Sequence, residues 1–346
     1  MTDMTRDLQA QVSQAIVDKA ALAIQGGGTK SGLGRASQGR AICLLEHSGV
    51  ISYSPTELVI QVRSGTKISD INATLAEHQQ RLIFEPADYA SQATIGGTVA
   101  ANQSGPCRPW FGGVRDSVLG VGLINGLGEH LQFGGQVMKN VAGFDVSRSQ
   151  VGAMGTLGVM TEISLKVLPM FAAEVTLVSS MSSTQALQTM PAFFRRNLPV
   201  SAVSYWQGNL YVRLQGSGSG VDSAMRSIDG EPLAAEQAAS WWQQVRECQL
   251  LEASSQQVLW RRNVAATDAQ TMCGPDSFIN WGGAQRWQLL HKDQAGPEGA
   301  VQYLGGDRTN EVNGPVNSVA QKLQGKLKTA FDPHAIFNPG RLYSWM

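Results

Sequence analysis

Three segments carry residue types that could bind a small ligand. The first is Gln25-Gly26-Gly27-Gly28-Thr29-Lys30, with Gly32 and Gly34 behind it. It follows the apolar run Ala21-Leu22-Ala23-Ile24. A strand that runs into consecutive glycines exposes several backbone N–H groups at once, and such a nest suits a phosphate or pyrophosphate. Thr29 adds a hydroxyl and Lys30 a cation. Neither common phosphate fingerprint is met. Ser31 stands where G-x-G-x-x-G needs its last glycine, and G-x-x-x-x-G-K-[ST] occurs nowhere. The second segment, Ala93–Gly105, is built of small residues. A flat ligand could lie on its backbone, with Thr94, Asn102 and Ser104 as hydrogen-bonding groups. The third, Gly152–Val159, reads equally well as a bulge or hairpin.

Candidates for acid–base or metal chemistry are sparse. His47, His78, His130, His291 and His334 are isolated, and Cys43, Cys107, Cys248 and Cys273 form no C-x-x-C pair. No zinc or iron–sulfur site, and no other metal site, is therefore expected. Arg261 and Arg286 could clamp a carboxylate bidentately. Each adjoins a tryptophan, so packing is the competing explanation.

The elements that would position these segments follow from hydrophobic spacing. Leu8, Val12 and Ile16 predict a helix over residues 6–19. Strands are expected at Ala21–Ile24, Ala41–Leu45 and Leu58–Val62, and a helix through Ile68, Ile71 and Leu75. Further strands are expected at Val118–Leu123, Leu131–Phe133 and Leu157–Leu168. In the second half we expect a strand at Glu174–Ser179 and a helix from Ser183 to Phe194. A hairpin of Val200–Trp206 and Leu210–Leu214 follows. Gly216–Gly220 is expected to turn into a helix, with another over Ala234–Leu251. Strands are expected at Gln257–Asn263 and Phe278–Leu289. The class is α+β.

The chain has 346 residues, room for about two domains. Its 27 basic and 27 acidic residues cancel, and no basic patch argues for nucleic acid. No apolar run is long enough for a transmembrane helix, and the polar start lacks a signal-peptide core, so a cytoplasmic location is expected. Glycine is abundant, and fifteen of the 38 glycines fall between Gly96 and Gly158. Backbone there must turn sharply or be approached closely.

Taken together the segments resemble the PCMH-type FAD-binding domain of the vanillyl-alcohol-oxidase type. Within that superfamily the sequence is similar to the FAD-binding E subunits of bacterial glycolate oxidases. The resemblance rests on Phe84-Glu85-Pro86, Ala93-Thr94-Ile95-Gly96-Gly97, Ser104-Gly105-Pro106, Gly113–Gly120 and Phe133–Asp145. In the second half it rests on Leu259-Trp260-Arg261, Trp281–Trp287 and Phe331–Arg341. It implies non-covalent FAD, because Thr29 stands about where some relatives carry a flavin-linked histidine. Cofactor contacts are implied for Gln25, Gly26, Gly27, Gly28, Thr29, Lys30, Gly34, Pro86, Thr94, Gly96, Gly97, Asn102, Ser104, Gly105, Gly155, Gly158, Val159 and Asn338. The implied layout is an FAD-binding domain of two α+β subdomains over residues 1–170. An antiparallel α+β cap over 171–325 and a segment 326–346 returning to the first domain complete it.

The resemblance further implies a flavin-dependent subunit that oxidises glycolate, a 2-hydroxy acid, to glyoxylate. A second FAD-containing catalytic subunit and an iron–sulfur subunit would be its partners, possibly at the inner membrane. Related enzymes often carry H-x-G-D-G-N-x-H; here only Gly305-Gly306-Asp307 approaches it. Two alternatives stay open: a self-sufficient flavin oxidoreductase for another 2-hydroxy acid such as lactate, and a non-catalytic assembly subunit that keeps flavin as structure.

Overall fold

In the computed structural model, which describes residues 2–135, 145–268 and 276–346, the first helix is Thr5–Asp18. It buries Leu8, Val12 and Ala15 against Leu22, Ile42, Ile124, Val159 and Phe337. Most of the Phe133–Asp145 resemblance run, residues 136–144, lies outside the described residues.

The chain divides into two compact units. The first comprises Met1–Gln103, Val114–Leu168 and Asp307–Met346. It holds two sheets. Leu22–Gln25 and Arg40–Cys43 pair in parallel, Leu22 opposite Arg40 and Gln25 opposite Cys43. On the other side Leu22 bridges Phe337, so the end of the chain extends this small sheet. The larger sheet runs Val50–Ser54, Val59–Arg63, Val159–Pro169, Val118–Ile124, His130–Gly134, all neighbours antiparallel, and Gln80–Leu82 also pairs with Val159–Pro169. Its core is Ile60, Val62, Leu123, Ile163 and Leu165, with Ile68, Ile71 and Leu75 from the helix Ile68–Ala76.

The second unit comprises Ser104–Gly113 and Pro169–Gly306. Its eight-stranded sheet is ordered Glu231–Pro232, Ala173–Ser180, Asn209–Gly216, Val200–Trp206, Ser277–Asn280, Gln285–His291, Gln257–Asn263, Val301–Gly305. The pairings are antiparallel.

Several details differ from the sequence reading. Phe278–Leu289 is two strands, because Trp281, Gly282 and Gly283 take positive φ (54°, 60° and 100°) and turn the chain back. The helix expected from Ser183 to Phe194 is Ser183–Thr189, capped by Ser182 through a capping box with Gln185. Pro191 then ends the α-helix in a 3-10 turn, Met190–Phe194. Two unit boundaries also lie elsewhere. Ser104–Gly113 packs with the second unit: Trp281 Nε1 donates to Gly105 O at 2.9 Å, and Trp110 stacks on Phe194. The return to the first unit begins at Asp307 rather than 326. Ala36 N donates to Arg308 O, and Arg35 Nε donates to Asn310 O.

Candidate functional site

The glycine loop leaves the strand Leu22–Gln25 at Gly26, and its shape is set by the segment before the helix Ile95–Ala100. That segment is zipped to residues 64–68: Ile68 N donates to Ala93 O, Ile95 N to Thr66 O and Gly96 N to Ser64 O. Thr94 caps the helix through its Oγ1, which accepts from Gly97 N at 3.3 Å. Any side chain at Gly26 would strike Thr94 Oγ1, and one at Gly27 would strike the carbonyl of Gln92. Gly27 is therefore demanded by backbone packed on backbone, and Gly26 by the Thr94 side chain that caps the helix. Gly28 faces open space, and its φ of +74° is what calls for glycine.

The loop borders a cleft of about 450 Å³. Gln25, Gly26, Gly27, Gly28, Thr29, Lys30, Thr94, Gly97 and Asn338 all line it. A second cavity of about 70 Å³ shares Gln25, Gly26, Thr94, Gly97 and Asn338 with the cleft. It adds Gly96, Gly155 and Gly158. The N–H groups of Gly27, Gly28 and Thr29 meet no acceptor among the described residues. Lys30 Nζ lies 3.1 Å from Thr29 Oγ1 and 5.2 Å from the Tyr89 ring centre.

Asn338 ties three segments together. Its Nδ2 donates to Met154 O at 2.7 Å, its Oδ1 accepts from Ile24 N at 2.8 Å, and its own N–H donates to Leu22 O. Behind it Lys328 and Asp332 form a buried pair at 2.6 Å. Lys328 Nζ also donates to Thr156 O and Phe337 O, while Asp332 accepts from Ile336 N and Phe337 N. The turn Met154–Gly158 and the end of the chain are thus fastened to each other.

Sequence reasoning missed Ser37, Ser64 and Arg341 as members of these walls. Arg341 ends the run Phe331–Arg341, and its place beside Asn338-Pro339-Gly340 is the available signal. Burial lowers the Arg341 guanidinium below the ordinary arginine range. Burial, and then the Arg341 charge, lower Arg308 to about 10. Two half-buried cations that repel one another favour an anion nearby.

Other expected contacts lie outside the two cavities. Gly34 sits beside Arg341 O with a φ of +69°. Pro86 and Val159 are buried, Val159 wholly within the core beside Leu8 and Leu22. Asn102, at φ 49°, packs on Gly152. Ser104 and Gly105 belong to the second unit. So do the two arginines. Arg286 is fully buried and donates to Gly283 O at 3.2 Å and to Asp268 O. Its Nε thus serves the turn that separates two strands, and its Nη2 serves Asp268. Arg261 lies over the rings of Tyr303 (4.9 Å) and Trp287 (5.8 Å). Gly305 and Gly306 form a left-handed turn, and Asp307 Oδ1 accepts from Thr309. Among the described residues no group of three or more His, Cys, Asp and Glu side chains could hold a metal ion. No helix there is long and apolar enough to cross a membrane.

An open row of backbone donors, Lys30 and the half-buried Arg341 fit a dinucleotide diphosphate. The comparisons with known proteins agree. Residues 3–134 match a family described as FAD binding domain. Among solved structures, alkyldihydroxyacetonephosphate synthase superposes with a TM-score of 0.67 at 14% identity, over 96% of this chain and 74% of that one, which shows the fold. The chain is an FAD-binding flavoprotein of that fold.

The relatives define its branch. Glycolate oxidase subunit GlcE of Escherichia coli (strain K12) is 41% identical over 99% of this chain and 98% of its own length. Glycolate oxidase subunit GlcD of Bacillus subtilis (strain 168) is 30% identical over 40% of this chain and 30% of its own. D-lactate dehydrogenase of Anaerostipes hadrus is 29% identical over 49% and 35%. The chain belongs to the GlcE family of glycolate oxidase subunits.

Proposed function

We propose that the chain is the FAD-holding GlcE-type subunit of a multi-subunit glycolate oxidase. The observation that carries this is the end-to-end match to GlcE, over a chain whose glycine loop and C-terminal segment wall one cleft. Oxidation of glycolate to glyoxylate removes a hydride from carbon and a proton from the hydroxyl. FAD supplies the two-electron acceptor and can release electrons singly. The chain's own residues bind and orient the cofactor. The N–H groups of Gly27, Gly28 and Thr29 and the Lys30 ammonium would hold the diphosphate. Asn338 holds the end of the chain against the same wall. FAD is held without a covalent bond, since Thr29 offers no nucleophile of the histidine kind.

Arg261 is the remaining candidate for a substrate carboxylate. Its Nε is buried and meets no acceptor among the described residues. The partners are a second FAD-containing subunit that carries catalysis and an iron–sulfur subunit, which bring the chain to the inner membrane as a peripheral member. The Lys328–Asp332 pair and the cleft lined by Lys30 and Arg341 belong to the first unit.

Copurification of the tagged chain from its native host tests this reading. The expected result is one complex with two further subunits, FAD and iron, and glycolate-dependent dye reduction. The isolated chain is expected to hold FAD that neither glycolate nor lactate reduces anaerobically. Reduction by lactate in the isolated chain would instead favour a self-sufficient oxidoreductase, and a chain that holds no FAD would refute the proposal.

A further inference from the structure

Arg341 reaches the glycine loop from the other end of the chain, and it holds the loop by carbonyls alone. Its Nη1 donates to Arg35 O at 2.7 Å. Its Nη2 donates to Lys30 O at 3.1 Å and Ser31 O at 2.9 Å. No carboxylate lies within ion-pair distance of it among the described residues. Arg35 answers in the other direction: its Nη1 donates to Gly340 O at 2.9 Å, its Nε to Asn310 O at 3.1 Å, and its Nη2 to Thr309 O. Two segments some 300 positions apart in sequence are therefore stitched by reciprocal side-chain bonds to backbone.

The grip has a consequence for the loop. The peptide joining Lys30 to Ser31 is planar, so fixing its carbonyl fixes its N–H on the opposite side. That N–H, of Ser31, donates to Gly28 O at 3.1 Å and closes the exit turn of the loop. Gly28 O is thereby turned inward. The N–H groups of Gly27, Gly28 and Thr29 stay unbonded among the described residues, at the wall of a cleft that Arg341 also lines. One guanidinium both sets the loop and places a positive charge beside it.

We propose that Arg341 is the positioning residue for the cofactor's diphosphate: by holding the carbonyls of Lys30, Ser31 and Arg35 it aims the loop's N–H groups into the cleft, so that docking of the C-terminal segment and binding of the dinucleotide are one coupled event. This rests on the FAD reading above. Coupling is reciprocal, so the dinucleotide must in turn hold the C-terminal segment down.

The test uses the full chain with Arg341→Met and Arg341→Lys. FAD dissociation constants are measured by flavin fluorescence, and C-terminal trimming by carboxypeptidase is timed with and without saturating FAD. Arg341→Met is expected to weaken FAD at least tenfold, with Arg341→Lys between it and wild type. FAD is expected to slow trimming of the wild type several-fold and to protect the Met variant much less once both are saturated. A purely structural role would leave that FAD-dependent protection unchanged. Wild-type affinity in the Met variant, or wild-type trimming indifferent to FAD, overturns the inference while leaving the FAD reading intact. Should the Met variant not fold, the Lys variant and the wild-type trimming decide. A wild type that binds no FAD overturns both.

Discussion

The two units use polar groups in opposite ways. In the first unit, the cleft wall carries backbone N–H groups at Gly27, Gly28 and Thr29 that meet no acceptor among the described residues. The carbonyls of Lys30, Ser31 and Arg35 are held by Arg341. In the second unit, Arg286 is fully buried and hands its donors to Gly283 O and Asp268 O, and Trp281 gives its N–H to Gly105 O. A wall with unspent donors can bind an anion, whereas donors given to carbonyls, as at Arg286 and Trp281, hold the fold together. Arg341 and Arg286 both spend donors on carbonyls, and the difference is whether those carbonyls border a loop whose own N–H groups stay open.

The contrast can be attacked from either side. The largest effect is expected at the buried pair behind the cleft. Lys328→Met leaves Asp332, 1% exposed, as a buried carboxylate without its cation. A loss of about 3–5 kcal/mol is expected, read as a lower urea midpoint. Little change there would mean that the end of the chain is held by the Asn338, Arg35 and Arg341 contacts without the pair.

A smaller effect is expected in the second unit. Arg286→Met leaves the buried carbonyl of Gly283 short of a donor, at about 1–3 kcal/mol, and returns the part-buried carbonyl of Asp268 to water. FAD affinity should stay within twofold. A tenfold loss of FAD or glycolate affinity in a variant that remains folded would return Arg286 to the site and break the comparison.

The smallest expected effect separates fold from function in the first unit. His47 is fully buried; Met4 N donates to its Nδ1 at 3.0 Å, and its Nε2 donates to Thr161 O at 3.0 Å. Burial lowers its pKa below the usual histidine value, with the Thr161 carbonyl, Asp3 and Glu162 opposing and Arg63 adding to the fall. The unfolded chain therefore takes up a proton at a higher pH than the folded one. Stability from this site is present above pH 6.5 and drains away as pH falls below it. Thermal melts between pH 7 and 5 should show a loss that His47→Gln reduces. Asp3, whose carboxyl the Thr5 and Arg63 contacts hold well below its usual value, adds its own loss only below about pH 4. An identical pH slope in the variant would show that His47 does not titrate in the fold.

Much of this was legible beforehand. The spacing of Leu8, Val12 and Ile16 gives the first helix, and β-branched runs give most strands, because periodic burial is written directly in residue type. Gln25–Lys30, Thr94, Gly96, Gly97, Gly155, Gly158 and Asn338 were legible as a set through their resemblance to FAD-binding chains. All of them line the two cavities. The reason for two of the glycines was not. Gly26 and Gly27 are pressed by Thr94 and Gln92, a contact between segments nearly seventy positions apart that no local pattern encodes. The break at Trp281–Gly283 was also hidden, since the apolar residues on either side read as one strand until the positive φ values interrupt them.

Sequence by itself determined the class, the cofactor and the family, because glycine-rich turns of fixed spacing and nearly the whole length of the chain match FAD-binding relatives. Tertiary structure decided which polar groups are free. Whether a guanidinium binds a ligand or a carbonyl depends on the neighbours that folding brings to it. Arg341 reaches Lys30 and Ser31, and Arg286 reaches Asp268 and Gly283, only once the chain has closed.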